Sequence, residues 1–115
     1  MIVDFVVDGG LLFVVLKNIG AASAFHVVTT FDRSFRGLGG ARDISAMALF
    51  RGVEFVPPGK EFRQLVDSIG TYYARQEPLR LSATVTYADR REQQFKDTMS
   101  HNLEIYRDLS DMAGL

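Results

Sequence analysis

The segment that decides the fold is LLFVVLKNIGAA, residues 11–22. Six apolar residues in succession predict a β-strand that is covered on both faces. In the turn that follows, Gly20 is predicted to adopt a positive φ, and the Asn18 side chain to bond to the backbone two residues on. A buried helical turn is the competing interpretation, but Gly9-Gly10 and Gly20 bracket a unit of strand length. An apolar segment resumes at Ala24, so the sequence favours strand, turn, strand.

The first of these strands raises the question of what covers it. Alternation along a strand places Val14 and Leu16 on one face and Phe13 and Val15 on the other. One face packs in the core, and the other face needs a cover of its own. We expect that cover to be either the segment 44–50 or another copy of the protein.

The flanking sequence continues in short β-prone units. Residues 2–7 are rich in β-branched side chains and end at a turn signal at residues 8–10, and residues 25–31 form another such unit. Residues 35–43 are rich in glycine and are predicted to be a mobile loop.

The middle of the chain is harder to interpret. Ile44, Met47 and Ala48 have helical spacing, which allows a short helix within 44–50. Residues 53–56 precede two prolines and are predicted to be a short strand that lies at a sheet edge or leaves the sheet. Residues 61–68 fit either an irregular strand or a single helical turn, and residues 72–78 are predicted to be a loop.

The clearest periodicity lies near the C-terminus. Apolar and polar residues alternate strictly over residues 79–87, as in a strand with one dry and one wet face. Residues 88–92 are a polar hairpin turn, and a partner strand is predicted from Gln93 toward Leu103 and Ile105. The last residues, 106–115, are predicted to be a short frayed tail.

These units together predict the fold class. The chain has 115 residues, 47% hydrophobic and 23% charged, which suits one globular domain with a core of its own. Short strands without a long amphipathic helix predict an all-β, antiparallel β-sandwich of about seven strands. We expect a single domain over 1–115, with its core in 2–105 and its tail in 106–115. The sequence also allows one short helix in 44–50 or 61–68.

A resemblance to a known family agrees with this fold. Residues 16–20, followed by Ala24, resemble the Leu-x-Asn-x-Gly-x-x-x-Ala pattern of bacterial immunoglobulin-like domains, which include the cell-adhesion-related domains found in bacteria. Further similarities follow in the expected order: the Pro58-Gly59 turn, the strand Leu81 to Tyr87 that ends in Tyr, and Asp89 at the last hairpin. The resemblance covers roughly residues 10 to 105, and residues 36–50 depart from it.

The resemblance implies a fold and a general role. It implies a seven-stranded immunoglobulin-like sandwich, often appended to other domains or to a membrane anchor, and usually without catalysis. Because the matching motifs shape turns and strands, they say little about a specific activity.

Charge and composition limit the possible partners. The formal net charge is −1 and there is no cysteine, so neither a basic nucleic-acid footprint nor a disulfide or thiolate metal site is expected. No segment has the apolar length of a membrane span or the features of a signal peptide. The compartment stays open. Met1 directly before a strand fits both a natural start and a domain cut from a longer protein.

Side chains with catalytic potential lack the patterns that chemistry requires. His26 and His101 belong to no metal-binding spacing, and no serine lies in a Gly-x-Ser-x-Gly elbow. Residues 37–40 lack the Lys-Ser/Thr of a phosphate-binding loop. We therefore expect no cofactor, no metal and no enzymatic activity.

Two groups of residues are candidates for contact with a protein partner. Tyr72 and Tyr73 stand beside Arg75, and aromatic residues and arginine are enriched at interaction hot spots. Arg90 and Arg91 stand at the predicted hairpin tip. The alternative is that these side chains are ordinary packing or solvated surface.

The sequence thus favours a non-catalytic interaction or accessory module. Its partner would be another protein, a neighbouring domain or a second copy, through an open strand edge. The alternative function is a small-ligand-binding or enzymatic domain that uses the glycine-rich loop 36–43 as a lid over Asp32, Arg33 and Asp43.

Overall fold

Two antiparallel sheets pack against each other in the computed structural model, which describes residues 1–107. Besides the strands it contains a 3-10 turn, Ile44–Ala46, and the helices α1 (Ala48–Arg51) and α2 (Ile69–Ala74). Numbered in chain order, the strands are β1 (Ile2–Asp8), β2 (Leu11–Lys17), β3 (Ala24–Phe31), β4 (Arg36–Gly37), β5 (Arg42–Asp43), β6 (Val53–Val56), β7 (Glu61–Ser68), β8 (Arg80–Ala88) and β9 (Gln94–Asn102).

The strand order confirms the predicted fold class. One sheet has the order β1-β2-β7 and the other has the order β6-β3-β8-β9, while β4 and β5 form a separate two-residue hairpin. Seven longer strands therefore make an all-β sandwich, with a few short helices between them. The single-domain prediction includes residues 108–115, which lie outside the described residues.

The segment 11–22 supplies the central strand of the smaller sheet, as its composition predicts. β2 pairs antiparallel with β1 on one side and with β7 on the other. Its side chains Leu12, Val14 and Leu16 are fully buried in the core between the sheets. Full burial of one such side chain stabilises the fold by about 1.5–3 kcal/mol.

The second face of β2 is covered mainly by side chains of the neighbouring strands in its own sheet. Val15 is only 3% exposed, and its pairing partners are Asp4 on β1 and Arg63 on β7. The Arg63 guanidinium lies 5.1 Å from the centre of the Phe13 ring. The expectation that residues 44–50 cover this face is wrong, because α1 packs on β3 of the other sheet. That a second copy covers it stays a prediction.

The turn after β2 is organised by a buried asparagine. Asn18 accepts a hydrogen bond from the Gly20 N–H at Oδ1 (2.9 Å), as predicted, and its Nδ2 donates to the Ala22 and Val56 carbonyls. The predicted positive φ at Gly20 is not observed. A Cβ at this position would lie 3.3 Å from the Asn18 Oδ1, a tight contact that the absence of a side chain at Gly20 avoids.

The two ambiguous segments resolve differently. Residues 44–50 contain the 3-10 turn and most of α1, which confirms the short helix there, whereas residues 61–68 are the strand β7 with a register shift opposite Leu12 and Phe13. The predicted loop 72–78 is wrong in its first part, because α2 extends to Ala74. Ser68 caps this helix by accepting a hydrogen bond from the Thr71 N–H, a local signal of a helix start.

The glycine-rich segment is bound to the smaller sheet, contrary to the predicted mobile loop. The Leu38 N–H donates to the Val66 carbonyl on β7 at 2.7 Å. Gly37 lies so close to β7 that a Cβ would stand 2.2 Å from the same carbonyl oxygen. Only glycine permits this approach of two backbones.

The C-terminal end of the described chain also differs from the prediction. β9 ends at Asn102, before the predicted Leu103 and Ile105. Tyr106 belongs to the predicted frayed tail, yet its hydroxyl donates to the Phe5 carbonyl at 2.7 Å. The rest of that tail, residues 108–115, lies outside the described residues. Of the helices within residues 1–107, none has the length and apolar character to cross a membrane.

Candidate functional site

The aromatic pair proposed for partner contact lies inside the protein or against it. Tyr72 is 0% exposed, and its hydroxyl donates to the Pro78 carbonyl at 2.7 Å. Burial raises the pKa of this hydroxyl well above its usual range. Tyr73 is half-buried and donates to the Leu103 carbonyl at 2.5 Å. Tyr72 therefore offers no surface to a partner, and Tyr73 offers only part of one.

Arg75, the third member of that group, ties the glycine-rich hairpin to α2. Its Nη2 donates to the Arg36 carbonyl at 2.9 Å, and its Nη1 donates to the Asp67 carboxylate. Glu77 lies 3.7 Å from its Nε. Because the Arg75 guanidinium is engaged by these contacts within the chain, Arg75 serves to hold the hairpin in place.

Asp67 is the anionic centre of this network. Its Oδ2 accepts from the Gly39 N–H at 2.9 Å, and its Oδ1 accepts from the Ser68 N–H at 3.0 Å. Burial by itself raises the pKa of Asp67, but the hydrogen bonds from Gly39, Arg75 and Ser68 outweigh it and hold the pKa below its usual value. The folded protein therefore favours the ionised carboxylate.

Arg90 and Arg91 lie on the hairpin between β8 and β9. Both side chains are exposed, and the Asp89 carboxylate shapes the turn by accepting from the Arg91 and Gln93 N–H groups. Arg90 also borders a small cleft of about 180 Å³. Their contact with a partner stays a prediction.

The residues of the alternative ligand site are only partly brought together. Arg33 and Asp43 line one cleft of about 440 Å³. Asp32 turns away from it, since its Oδ1 accepts from the Ser82 N–H at 2.8 Å. Of the segment 36–43, only Asp43 lines this cleft, so the glycine-rich hairpin is not its lid.

The cleft separates the outer part of β3 from the helical segment that precedes β6. Phe50 forms part of its wall and contacts Phe31 edge to face at 5.0 Å between ring centres. A volume of this size is in the range of ordinary binding pockets. The lining residues are Val28, Thr29, Thr30, Phe31, Arg33, Ser34, Asp43, Ser45, Ala46, Phe50 and Arg51.

One wall of the cleft is an incompletely paired strand edge. β8 pairs with β3 over Val28–Phe31, but on the other side the pairing with β6 includes only Ala24, Phe25 and Val27. Within residues 1–107, no backbone hydrogen bond joins residues 29–31 to the segment 44–51. We refer to Val28–Phe31 as the open edge.

The edge is open because the chain forms helix where a longer β6 would have run. β6 has four residues against eight in β3. The sequence before it, Ser45 to Arg51, is rich in alanine, leucine and methionine, which favour helix over strand. The resulting turn and α1 pack on β3 without pairing with it as a strand, so the pairing with β6 ends at Val27.

An unsatisfied hydroxyl group borders the same cleft. Thr29 is 5% exposed, and its Oγ1 is buried without a hydrogen-bond partner among the described residues. A buried hydroxyl without a partner costs about 1–3 kcal/mol. By contrast, the Ser45 hydroxyl donates to Asp43 and accepts from the Phe35 N–H, so both of its roles serve the loop.

Two arginines stand at opposite ends of the open edge. Arg33 follows the end of β3, and Arg51 precedes Val53, which pairs with Val27 at the other end. Neither arginine forms an ion pair with any other residue of 1–107. Asp43 is the acidic residue in the lining, so the cleft has an excess of positive charge.

Sequence reasoning named Arg33 and Asp43 but missed Thr29, Phe50 and Arg51. One signal for the open edge was present in the lengths of the predicted strands, since 25–31 is nearly twice as long as 53–56. Which of the β3 residues would then lack a partner depends on the register, which a single sequence does not give.

No metal site was found in the described part of the chain. Residues 1–107 contain no group of three or more His, Asp or Glu side chains that could hold a metal ion. His101 instead contacts the Val3 carbonyl through Nε2 at 2.8 Å, and His26 lies 3.2 Å from the Glu54 carboxylate.

Comparison with known proteins gives a family but no activity. The sequence profile of a domain of unknown function, DUF8453, matches residues 1–107, nearly the whole chain. No curated protein and no solved structure matches the chain significantly.

Proposed function

The chain belongs to the DUF8453 family, and we propose that it is a non-catalytic interaction module that binds an extended segment of a protein partner along the open edge of β3. The observation that carries this proposal is the unpaired side of Val28–Phe31, which faces a cleft. An extended peptide supplies N–H and C=O groups to such an edge and lengthens the sheet by one strand.

The shape of the sandwich supports an immunoglobulin-like arrangement for the module. The first, second and fifth long strands form one sheet, and the third, sixth and seventh lie together in the other. These groupings agree with the immunoglobulin constant-type sandwich except at the fourth long strand, β6, which joins β3 instead of the sheet of β1, β2 and β7.

The cleft is better suited to a peptide than to a reaction. The carboxylate in its lining, Asp43, accepts from the Ser45 hydroxyl, which in turn accepts from the Phe35 N–H, so this pair is engaged in the loop. The absence of a histidine from the lining also favours a binding role over a reaction. The extended wall of backbone, in contrast, recognises another backbone.

The test begins with short random peptides displayed on phage and selected on the immobilised chain. A selected peptide is then synthesised in two N-methylated forms, one with methyl groups on alternate residues and the other with the pattern shifted by one residue. An added strand directs alternate N–H groups to opposite sides, so one pattern blocks the bonds to β3 and the other does not.

We expect one N-methylated form to lose binding and the other to retain most of it, as measured by fluorescence anisotropy. Amide hydrogen exchange is expected to slow at Val28–Phe31 when the unmodified peptide binds. Equal binding by both forms, or protection elsewhere on the chain, would show that the peptide does not add to this edge. Failure to select any peptide would also count against the proposal.

A further inference from the structure

The charge of the cleft indicates which segments would bind at the open edge. We infer that the partner segment is acidic, with carboxylate side chains near Arg33 and Arg51 at the two ends of the edge; this rests on the proposed strand addition. Both arginines line the cleft, and neither is neutralised by an ion pair within residues 1–107.

The acidic residues nearby are engaged by other groups. Asp43 holds the Ser45 hydroxyl, Asp32 accepts the Ser82 N–H, and Glu54 lies 3.2 Å from His26. Elsewhere in the protein, Arg63 and Arg75 have carboxylates of their own. Arg33 and Arg51 have no such carboxylate within residues 1–107. Other exposed arginines share this property, and Arg33 and Arg51 are distinguished by their place in the lining of the cleft.

The positions of the arginines set the spacing of the acidic side chains. The edge Val28–Phe31 spans about 10 Å, because a strand rises about 3.3 Å per residue. With one arginine beyond each end of that length, a single carboxylate does not reach both. The geometry therefore predicts two acidic residues separated by several positions of an extended segment.

The experiment uses the peptides selected on the full chain. Sequencing is expected to show enrichment of Asp and Glu at two separated positions relative to the unselected library. For one selected peptide, binding is compared for the unchanged chain, Arg51→Gln, Arg33→Gln and the control Lys96→Gln. Lys96 is exposed like the other two and lies on β9, which β8 separates from β3.

Each of the two cleft substitutions is expected to weaken binding about 3-fold to 5-fold, as for loss of a partly exposed ion pair, while Lys96→Gln leaves it unchanged. Replacing the acidic residues of the peptide by their amides is expected to remove the difference between the chains. Raising the salt concentration from about 0.05 M to about 0.5 M is expected to weaken binding of the unchanged chain more than that of the variants.

The outcomes separate this inference from the proposed function. If peptides bind with the N-methylation pattern of an added strand but show no acidic enrichment and no loss in Arg33→Gln and Arg51→Gln, the edge binds and the inference about charge is wrong. If acidic peptides bind equally in both N-methylated forms, the arginines bind carboxylates without strand addition. Self-association of the chain through the edge, detected by sedimentation, would identify a second copy as the occupant and overturn the inference.

Discussion

The two strand edges at β1 and β3 belong to the same sandwich but differ in whether their outer backbone groups have hydrogen-bond partners. At β1, side chains bond to the backbone of Val3 and Phe5. The Val3 N–H contacts the Met99 sulfur at 3.2 Å and the Phe5 N–H the Asp4 carboxylate at 2.8 Å, while the Tyr106 hydroxyl donates to the Phe5 carbonyl. At β3, residues 28–31 have no such partner on their outer side within residues 1–107.

The difference shows how the chain deals with exposed backbone. Unpaired edges promote association with other chains, and proteins usually block them with side chains or charge. β9 lies beside β1 and places His101 and Met99 against its edge, so that edge is closed. The open edge lines a cleft instead. Under the proposed function, that edge stays unpaired because it is the place where the partner segment binds.

The largest expected effect concerns Asp67, which holds the glycine-rich hairpin that leads into the cleft. Asp67→Asn is expected to lower the free energy of unfolding by about 2 kcal/mol at pH 7, because the substitution removes a charge-assisted bond to Arg75 and weakens the one from Gly39. Denaturant unfolding at several pH values measures it. The hairpin held by Asp67 leads directly into Asp43 and Ser45 of the cleft.

The pH dependence of this difference in unfolding free energy is the control for the prediction. The native pKa of Asp67 is lowered, so its contribution is fully present above the ordinary value of 3.8 and is lost as the pH falls through the native pKa. The difference between Asp67→Asn and the unchanged chain should therefore shrink at acidic pH. A difference that stays constant over this range would mean that the ionised carboxylate contributes nothing.

The next effect tests the closed edge. Tyr106→Phe is expected to destabilise the chain by about 1 kcal/mol, because the Phe5 carbonyl loses the hydroxyl that satisfies it. The matched control is Tyr87→Phe, which removes a hydroxyl that donates to the 43% exposed Asp97 carboxylate. If both substitutions cost the same, closure of the β1 edge by Tyr106 has no special importance for stability.

The parts of the fold that sequence could predict are those with strong local patterns. The apolar run of β2, the alternation of β8 and the Asn18 turn each depend on neighbouring residues, and the structure contains all three. The α2 helix was missed because Ile69 to Ala74 includes glycine, threonine and two tyrosines, which have little helical preference. Its capping by Ser68 and the burial of Tyr72 favour the helix instead.

The candidate site was less predictable because it arises from long-range register. Tyr72 and Arg75 resemble an interaction motif in sequence, yet the first is in the core and the second is bound to Asp67. Thr29 looks like any strand threonine, and only the early end of β6 leaves it beside a cleft. Arg51 likewise acquires its position from where α1 packs on β3.

The smallest expected effect tests the open edge in the unbound chain. Thr29→Val keeps the shape of the side chain but removes a buried hydroxyl that lacks a partner, so we expect a gain in stability of about 0.5–1 kcal/mol. Thr84→Val is the control, because the Thr84 and Thr98 hydroxyls lie 3.2 Å apart and its hydroxyl has a partner to lose. Thermal unfolding of both variants measures the contrast.

The same substitution is expected to leave peptide affinity unchanged. The Thr29 hydroxyl is closed off from solvent, so a segment added to the open edge bonds to the Thr29 backbone and not to its side chain. A loss of affinity in Thr29→Val would mean that peptide binding uncovers this hydroxyl. Loss of stability in Thr29→Val would instead mean that the hydroxyl has a partner in solution, and the contrast between the two edges would then be smaller than the structure indicates.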